Sequence, residues 1–298
     1  MTPSHLHEPD SRSTAIGLLV LSSVLWGSSF VSVKIGLAYV NAYTFAFLRL
    51  AFGASILVPL LVLRGKFRFA VMRGRAVWTL GLLNGLAFLL QYLGLLYTTA
   101  AKTALLVDLN VLIVAVLSWW MFQESFGKGK QLGVFLGVVG ALMITTNGDL
   151  SSLTSGQLFG DALVFSAGLI WALFIVTLKR ILIQKEQNTT ELSAMVMVAT
   201  ALFLLPASVL LGGLTSSVIP LQGWELIAYT AVAATVLPYV MWIAALKAVT
   251  ATVAGVVGLL EIVAAMIMSS LLLGESYSTI TLIGALLILF SLFAVAES

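Results

Sequence analysis

Residues 76–98 read AVWTLGLLNGLAFLLQYLGLLYT, an unbroken run without a charged side chain. The run is too long and too uniformly apolar for a barrel strand, while a helix of about 20 such residues spans the roughly 30 Å hydrocarbon core of a bilayer. Hydrocarbon offers no partner for backbone N–H and C=O, so the segment must be helical. Further runs of this kind lie at about 15–33, 42–63, 103–122, 131–147, 159–178, 192–211, 224–246, 250–273 and 277–296. Ten spans in 298 residues leave only short loops, consistent with 60% hydrophobic residues, 9% charged residues and a mean hydropathy of +1.10. That composition excludes an ordinary soluble domain, and the expected fold is an all-α membrane protein.

The chain has no cysteine, and its two histidines, His5 and His7, lie in a polar tail at residues 1–13. Thiolate and imidazole chemistry inside the membrane is therefore excluded, and neither a metal nor a cofactor is expected. No Gly-Lys-Ser/Thr run marks a nucleotide site, and loops this short hold no soluble active site, so an enzyme is not expected. Twelve Lys and Arg residues fall in the tail and the alternate loops on its side of the membrane, five of them between Arg64 and Arg75, against Lys34 and Lys102 on the other side. This asymmetry predicts that both termini are cytoplasmic. It also accounts for the net charge of +3 without a nucleic-acid partner.

Sliding the chain along itself shows an internal repeat. At a shift of 151, Glu124-Ser125-Phe126 falls on Glu275-Ser276-Tyr277, Gly133 on Gly284 and Asn110 on Glu261. At a shift of 145, Trp26 falls on Trp171, Val31 on Val176 and Lys34 on Lys179. The expected organisation is a first repeat at 14–147, an extracytoplasmic loop at 148–158 and a second repeat at 159–298. Five spans is an odd number, so the halves enter the membrane from opposite sides. Two inverted five-helix repeats around a central cavity are the plan of secondary transporters.

Leu25-Trp26-Gly27-Ser28-Ser29-Phe30, the Leu96-Tyr97-Thr98-Thr99-Ala100 junction and Gly274-Glu275 resemble the EamA branch of the drug/metabolite transporter superfamily. The resemblance covers about 14–296. It implies ten helices forming a basket, alternating access, small metabolites such as amino acids as cargo, a functional monomer and a bacterial cytoplasmic membrane. The family often carries proline late in the fourth helix and directly after the ninth-helix Glu. Here Val111 follows Asn110 and Ile262 follows Glu261, which leaves a proline kink at those points without a basis.

Positions paired by the repeat should face one shared space. Asn84 pairs with Thr235, Phe88 with Tyr239 and Gln91 with Trp242, at the i, i+4, i+7 spacing of a single helical face. Tyr92 sits beside that face, and Asn110 pairs with Glu261. Trp26 and Trp171 lie about twelve residues into their spans, near the midplane, where an indole N–H needs a partner that a water-filled cavity would supply. These ten residues other than Glu261 are the candidate substrate-binding set.

Charged residues at depth are costly and seldom face lipid, and Arg49, Asp108 and Glu261 lie clearly inside spans. Arg49 and Asp108 enter at similar depth, so an ion pair between them is expected, structural in the first place. In the substrate-binding version Arg49 grips a carboxylate and Asp108 faces an ammonium group. Lys102, at the outer mouth, is a second partner for Asp108. Glu261, near mid-bilayer, suits reversible protonation, which makes protons the expected coupling ion. The expected function is export or exchange of small metabolites, amino acids with apolar or aromatic side chains foremost. Amphipathic drugs, quaternary amines and nucleosides are alternative cargo, and a passive channel, which would need rings of like residues, ranks last.

Overall fold

The computed structural model describes residues 12–65, 72, 74–122, 127–147, 156–184, 189–214, 218–245, 248, 257–258 and 260–296. Outside them lie the tail with His5 and His7, most of the basic loop between 66 and 73, the Glu124-Ser125-Phe126 segment, the expected connecting loop up to residue 155, residues 185–188, and 249–256, where the ninth expected span begins.

The regular elements are helices, with no strand among the described residues. They are α1 (Arg12–Gly36), α2 (Ala42–Leu63), α3 (Arg75–Leu95), α4 (Ala100–Asp108), α5 (Asn110–Phe122), α6 (Lys128–Thr146), α7 (Gly156–Gln184), α8 (Thr189–Leu210) and α9 (Leu221–Ala231). A π-helical turn (Val232–Val236), α10 (Leu237–Ala245), α11 (Leu260–Leu273) and α12 (Thr279–Ala296) follow. Because α7 starts at Gly156, the last residues of the expected loop at 148–158 are helical.

Among the described residues, seven helical spans are long and apolar enough to cross a membrane: Ser13–Gly36, Ala42–Leu63, Arg75–Leu95, Ala100–Met121, Gln157–Leu178, Thr190–Leu210 and Leu221–Trp242. Leu260–Leu273 and Thr279–Ala294 are apolar but shorter. Large apolar side chains point outward, Leu63 at 85% and Leu271 at 77% exposure, as a lipid-facing surface requires. The molecule is a multi-pass membrane protein.

Local chemistry sets the helix ends. The Asn41 side chain accepts from Thr44 N at 2.9 Å and caps α2, while Asn147 takes a left-handed conformation (φ 52°) and donates its N–H to the Met143 carbonyl, closing α6. Two expected spans are interrupted. The 103–122 span breaks at Leu109, between Asp108 and Asn110, two poor helix formers, so a break occurs there without proline. In the 224–246 span Pro238 has no N–H to give the Ala234 carbonyl, and the helix widens just before it, with Leu237 N bonding Val232 O.

Helices α6 and α12 pack backbone to backbone: a Cβ on Gly140 would lie 2.7 Å from Gly284 O, and one on Gly284 would lie 2.9 Å from Gly140 O. Close approach through small residues replaces the hydrophobic drive that lipid removes. Elsewhere α3 packs on α7 and α8, α2 on α8, and α1 on α10 and α11. One core gathers Phe30, Phe45, Phe88, Tyr92 and Leu95, and a second gathers Leu105, Leu112, Ile144, Ile262 and Ile288. Trp171 packs against both.

Candidate functional site

A cavity of about 410 Å³ is lined by side chains from α1, α2, α3, α4, α5, α7, α8, α10, α11 and the π turn. Glycine chemistry brings one wall in. A Cβ on Gly27 would collide with the Glu261 carbonyl oxygen and lie 2.9 Å from Ala264 Cβ, so only glycine lets α11 come this close to α1 with Glu261 on the cavity wall.

Most residues singled out in the sequence converge here. Asn84, Phe88 and Gln91 of α3 line the cavity together with Thr235 and Tyr239, Trp26, Trp171 and Asn110, and so do Arg49, Asp108 and Glu261. Among the described residues no acceptor serves the indole N–H of Trp26 or Trp171, and the side chains of Gln91, Asn110, Asp108 and Glu261 make no hydrogen bond. These polar groups are left to whatever fills the space. The rings form a connected wall, with Phe88 and Trp171 edge to face at 5.1 Å and Trp171 and Phe174 at 5.5 Å.

Three placements differ from expectation. Tyr92 is fully buried behind the cavity, its hydroxyl accepting from Arg49. Trp242 does not line the cavity but backs Trp26, with ring centroids 5.1 Å apart. The wide turn at Val232–Val236 changes the azimuth of the residues around it, so Trp242 does not occupy the place that Gln91 takes on the regular helix α3. Lys102 pairs with Asp161 at 3.5 Å instead of Asp108.

Arg49 makes no ion pair with Asp108. Its Nε donates to Thr235 Oγ1 at 2.8 Å, Nη1 to the Tyr92 hydroxyl at 2.6 Å and Nη2 to the Ala234 carbonyl at 3.0 Å. The last is the carbonyl that Pro238 leaves without an α-helical donor. The guanidinium also lies over the Phe88 ring, 5.2 Å from its centroid, and Arg49 is only 4% exposed. Asp108 and Glu261 share the cavity and act on one another electrostatically, with Arg49 close enough to act on Glu261.

The sequence reading passed over Ser29 and Phe174, which also line the cavity. Each lies three residues beyond a flagged tryptophan, Trp26 and Trp171, and the i, i+3 rule applied to those residues would have found them. It also passed over Asp161, buried at 2% exposure near the start of α7.

Asp161 belongs to a bonded cluster at the end of the bundle where α1 finishes, opposite the end at Arg12. Thr98 Oγ1 donates to Asp161 Oδ1, and Lys102 faces Oδ2, which has no hydrogen-bond donor. Lys34 Nζ donates to the carbonyls of Leu95 and Thr98, the latter at 2.7 Å. Glu275 reaches across to the start of α4, accepting from Ala100 N at 2.8 Å and Ala101 N at 3.3 Å. A carboxylate on the free N–H groups of a helix N-terminus is favourable both as hydrogen bonds and against the helix dipole. Helix α4 is thus held by an acid from the far end of the chain.

Comparison with known proteins adds a family. The sequence matches the EamA-like transporter family twice, over residues 13–146 and 158–296. An uncharacterized transporter of Archaeoglobus fulgidus is 28% identical over 77% of this chain and 78% of its own length. The uncharacterized transporter YyaM of Bacillus subtilis is 27% identical over 91% and 90%, and a probable amino-acid metabolite efflux pump of Salmonella typhimurium is 26% identical over 93% and 92%. A solved crystal structure superposes with a TM-score of 0.68 at 16% identity, covering 95% of this chain and 96% of that one, a likeness of fold alone.

Proposed function

The chain belongs to the EamA-like transporter family, and from that premise we propose that it exports or exchanges small metabolites, amino acids with apolar or aromatic side chains foremost, by alternating access. The observation that carries the reading is the cavity: about 410 Å³, of the size that takes a small molecule, and walled by residues from both family-matched stretches. The Salmonella typhimurium relative named as a probable amino-acid metabolite efflux pump supports the cargo class.

The proposed architecture is ten spans in two inverted halves, residues 14–147 and 159–298. The packing pattern supports it. Exchanging the halves turns the α3–α7 contact into α1–α10 and the α1–α11 contact into that of α7 with α4 and α5, and leaves α2–α8 and α6–α12 in place. The hydrogen bond from Asn84 to Thr200 (2.9 Å) and that from Arg49 to Thr235 are related in the same way, since 235 and 84, like 200 and 49, differ by 151.

The Lys and Arg asymmetry supports both termini lying in the cytoplasm of a bacterial cell, with Lys34, Lys102, Asp161 and Glu275 at the outer face. In that orientation the outer end is tied shut. The cavity reaches toward the inner ends of α7 and α8 at Leu178 and Leu192, as an inward-facing carrier would. Glu261, in the cavity without a hydrogen bond, is the proposed proton carrier.

Counterflow in proteoliposomes carrying the purified protein tests the reading. Saturable, trans-stimulated uptake of labelled phenylalanine or leucine is expected. Flux that rises linearly with concentration would make the protein a channel, and no exchange of any amino acid by folded protein would remove that cargo class.

A further inference from the structure

Resting on the transporter reading, we propose that the cavity recognises its cargo by an ammonium group, held between Asp108 and Glu261, and that a cargo carboxylate is not needed, so that arylalkylamines are cargo alongside amino acids.

The argument starts from which charged groups are free. The guanidinium of Arg49 is occupied on three sides by Thr235, Tyr92 and the Ala234 carbonyl, and its face lies on Phe88. Three of its five N–H groups are committed to two hydroxyls and the carbonyl orphaned by Pro238, which leaves at most two Nη hydrogens for a cargo carboxylate. Lys34 and Lys102 are bonded within the cluster at the other end of α4. No free cation therefore lines the cavity among the described residues.

The acids are in the opposite position. Asp108 and Glu261 make neither a hydrogen bond nor an ion pair among the described residues, they line one cavity, and each acts on the other electrostatically. The titratable and charged groups that share the cavity wall with them are Arg49 and Tyr239, and the Tyr239 hydroxyl is bonded to Ser193. Two carboxyls on one cavity wall, when ionised, attract a cation between them. An ammonium group supplies that charge and up to three N–H donors. Around it, the Trp26, Phe88, Trp171 and Phe174 rings present faces and edges to an apolar or aromatic body, with the amide of Gln91 free to bond a polar substituent.

The test uses three probes with one ring and different charges: 2-phenylethylamine, phenylalanine and 3-phenylpropionate. Binding to the full-length protein is read by intrinsic tryptophan fluorescence and by thermal stabilisation. Phenylethylamine is expected to bind at least as tightly as phenylalanine, and phenylpropionate about tenfold or more weakly. Asp108→Asn and Glu261→Gln should each weaken the amine about tenfold or more. The comparison of probes on the unaltered protein stands even where a variant fails to fold.

Phenylpropionate binding as well as phenylalanine while the amine does not bind would overturn the proposal and return the cargo to Arg49. Equal binding of all three would overturn it in favour of ring recognition alone, and no binding of any would overturn it outright. Counterflow of labelled phenylethylamine separates the two layers: binding without exchange sinks the transporter reading and leaves the ammonium site, whereas phenylalanine exchange untouched by the amine sinks the ammonium site alone.

Discussion

Four of the acidic side chains among the described residues sit in two contrasting ways. At the end of the bundle near Thr98, Asp161 and Glu275 are engaged: one takes a bond from Thr98 and faces Lys102, the other takes two backbone N–H groups of α4. Within the cavity, Asp108 and Glu261 have no hydrogen bond at all. The first pair acts as joinery between segments distant in sequence, since removing an acid strands a buried partner. The second pair makes no such tie among the described residues. Arg49 stands between these regions, on the cavity wall by position and part of the joinery by bonding.

Substitutions can break or sharpen this contrast. The largest effect is expected for Arg49→Ala, which strands the Tyr92 hydroxyl and the Ala234 carbonyl and removes three charge-assisted bonds, for a loss of about 4 kcal/mol in the unfolding of the purified protein. Wild-type stability with lost binding would instead move Arg49 into the cargo set. Asp161→Ala leaves Lys102 without its partner and should cost about 3 kcal/mol in the same assay, with unchanged stability showing that the pair holds nothing. For Glu275→Gln, which keeps one acceptor oxygen for the α4 N-terminus, the expected loss is about 1 kcal/mol. Asp108→Asn and Glu261→Gln should change unfolding by less than about 0.5 kcal/mol while flux falls. Glu261→Gln should in addition leave the remaining flux insensitive to pH, and a pH profile like that of the unaltered protein would remove the proton-carrier role.

How far the sequence carries toward this picture depends on which dimension is asked about. Depth along the membrane normal is legible, because a residue's place in an apolar run sets its height at 1.5 Å per residue. That is why Trp26, Trp171, Asn84, Phe88 and Gln91 come together in one cavity as expected. Azimuth is not legible in the same way. Arg49 and Asp108 were matched by height, yet Arg49 turns toward the π turn, where Pro238 leaves a carbonyl in need of a donor. Trp242 missed the cavity because that same turn alters the helical phase on which the i, i+4, i+7 rule depends. Lys102 lies in the first turn of α4, where Asp161 of α7 is within reach and Asp108, two turns further along, is not its partner. Glu275 was visible as one end of a repeat match, but its bond to α4 is a contact between residues 175 positions apart that no local pattern encodes.

The absence of cysteine from the chain opens a direct test of alternation. A single Asn110→Cys substitution places one thiol on the cavity wall, and its labelling by a membrane-impermeant maleimide can be followed from either side of oriented vesicles, with and without phenylalanine. The account predicts labelling from the cytoplasmic side in the absence of cargo, and a shift of reactivity toward the outer side when cargo is added. Equal labelling from both sides under all conditions, or none from either, would contradict it.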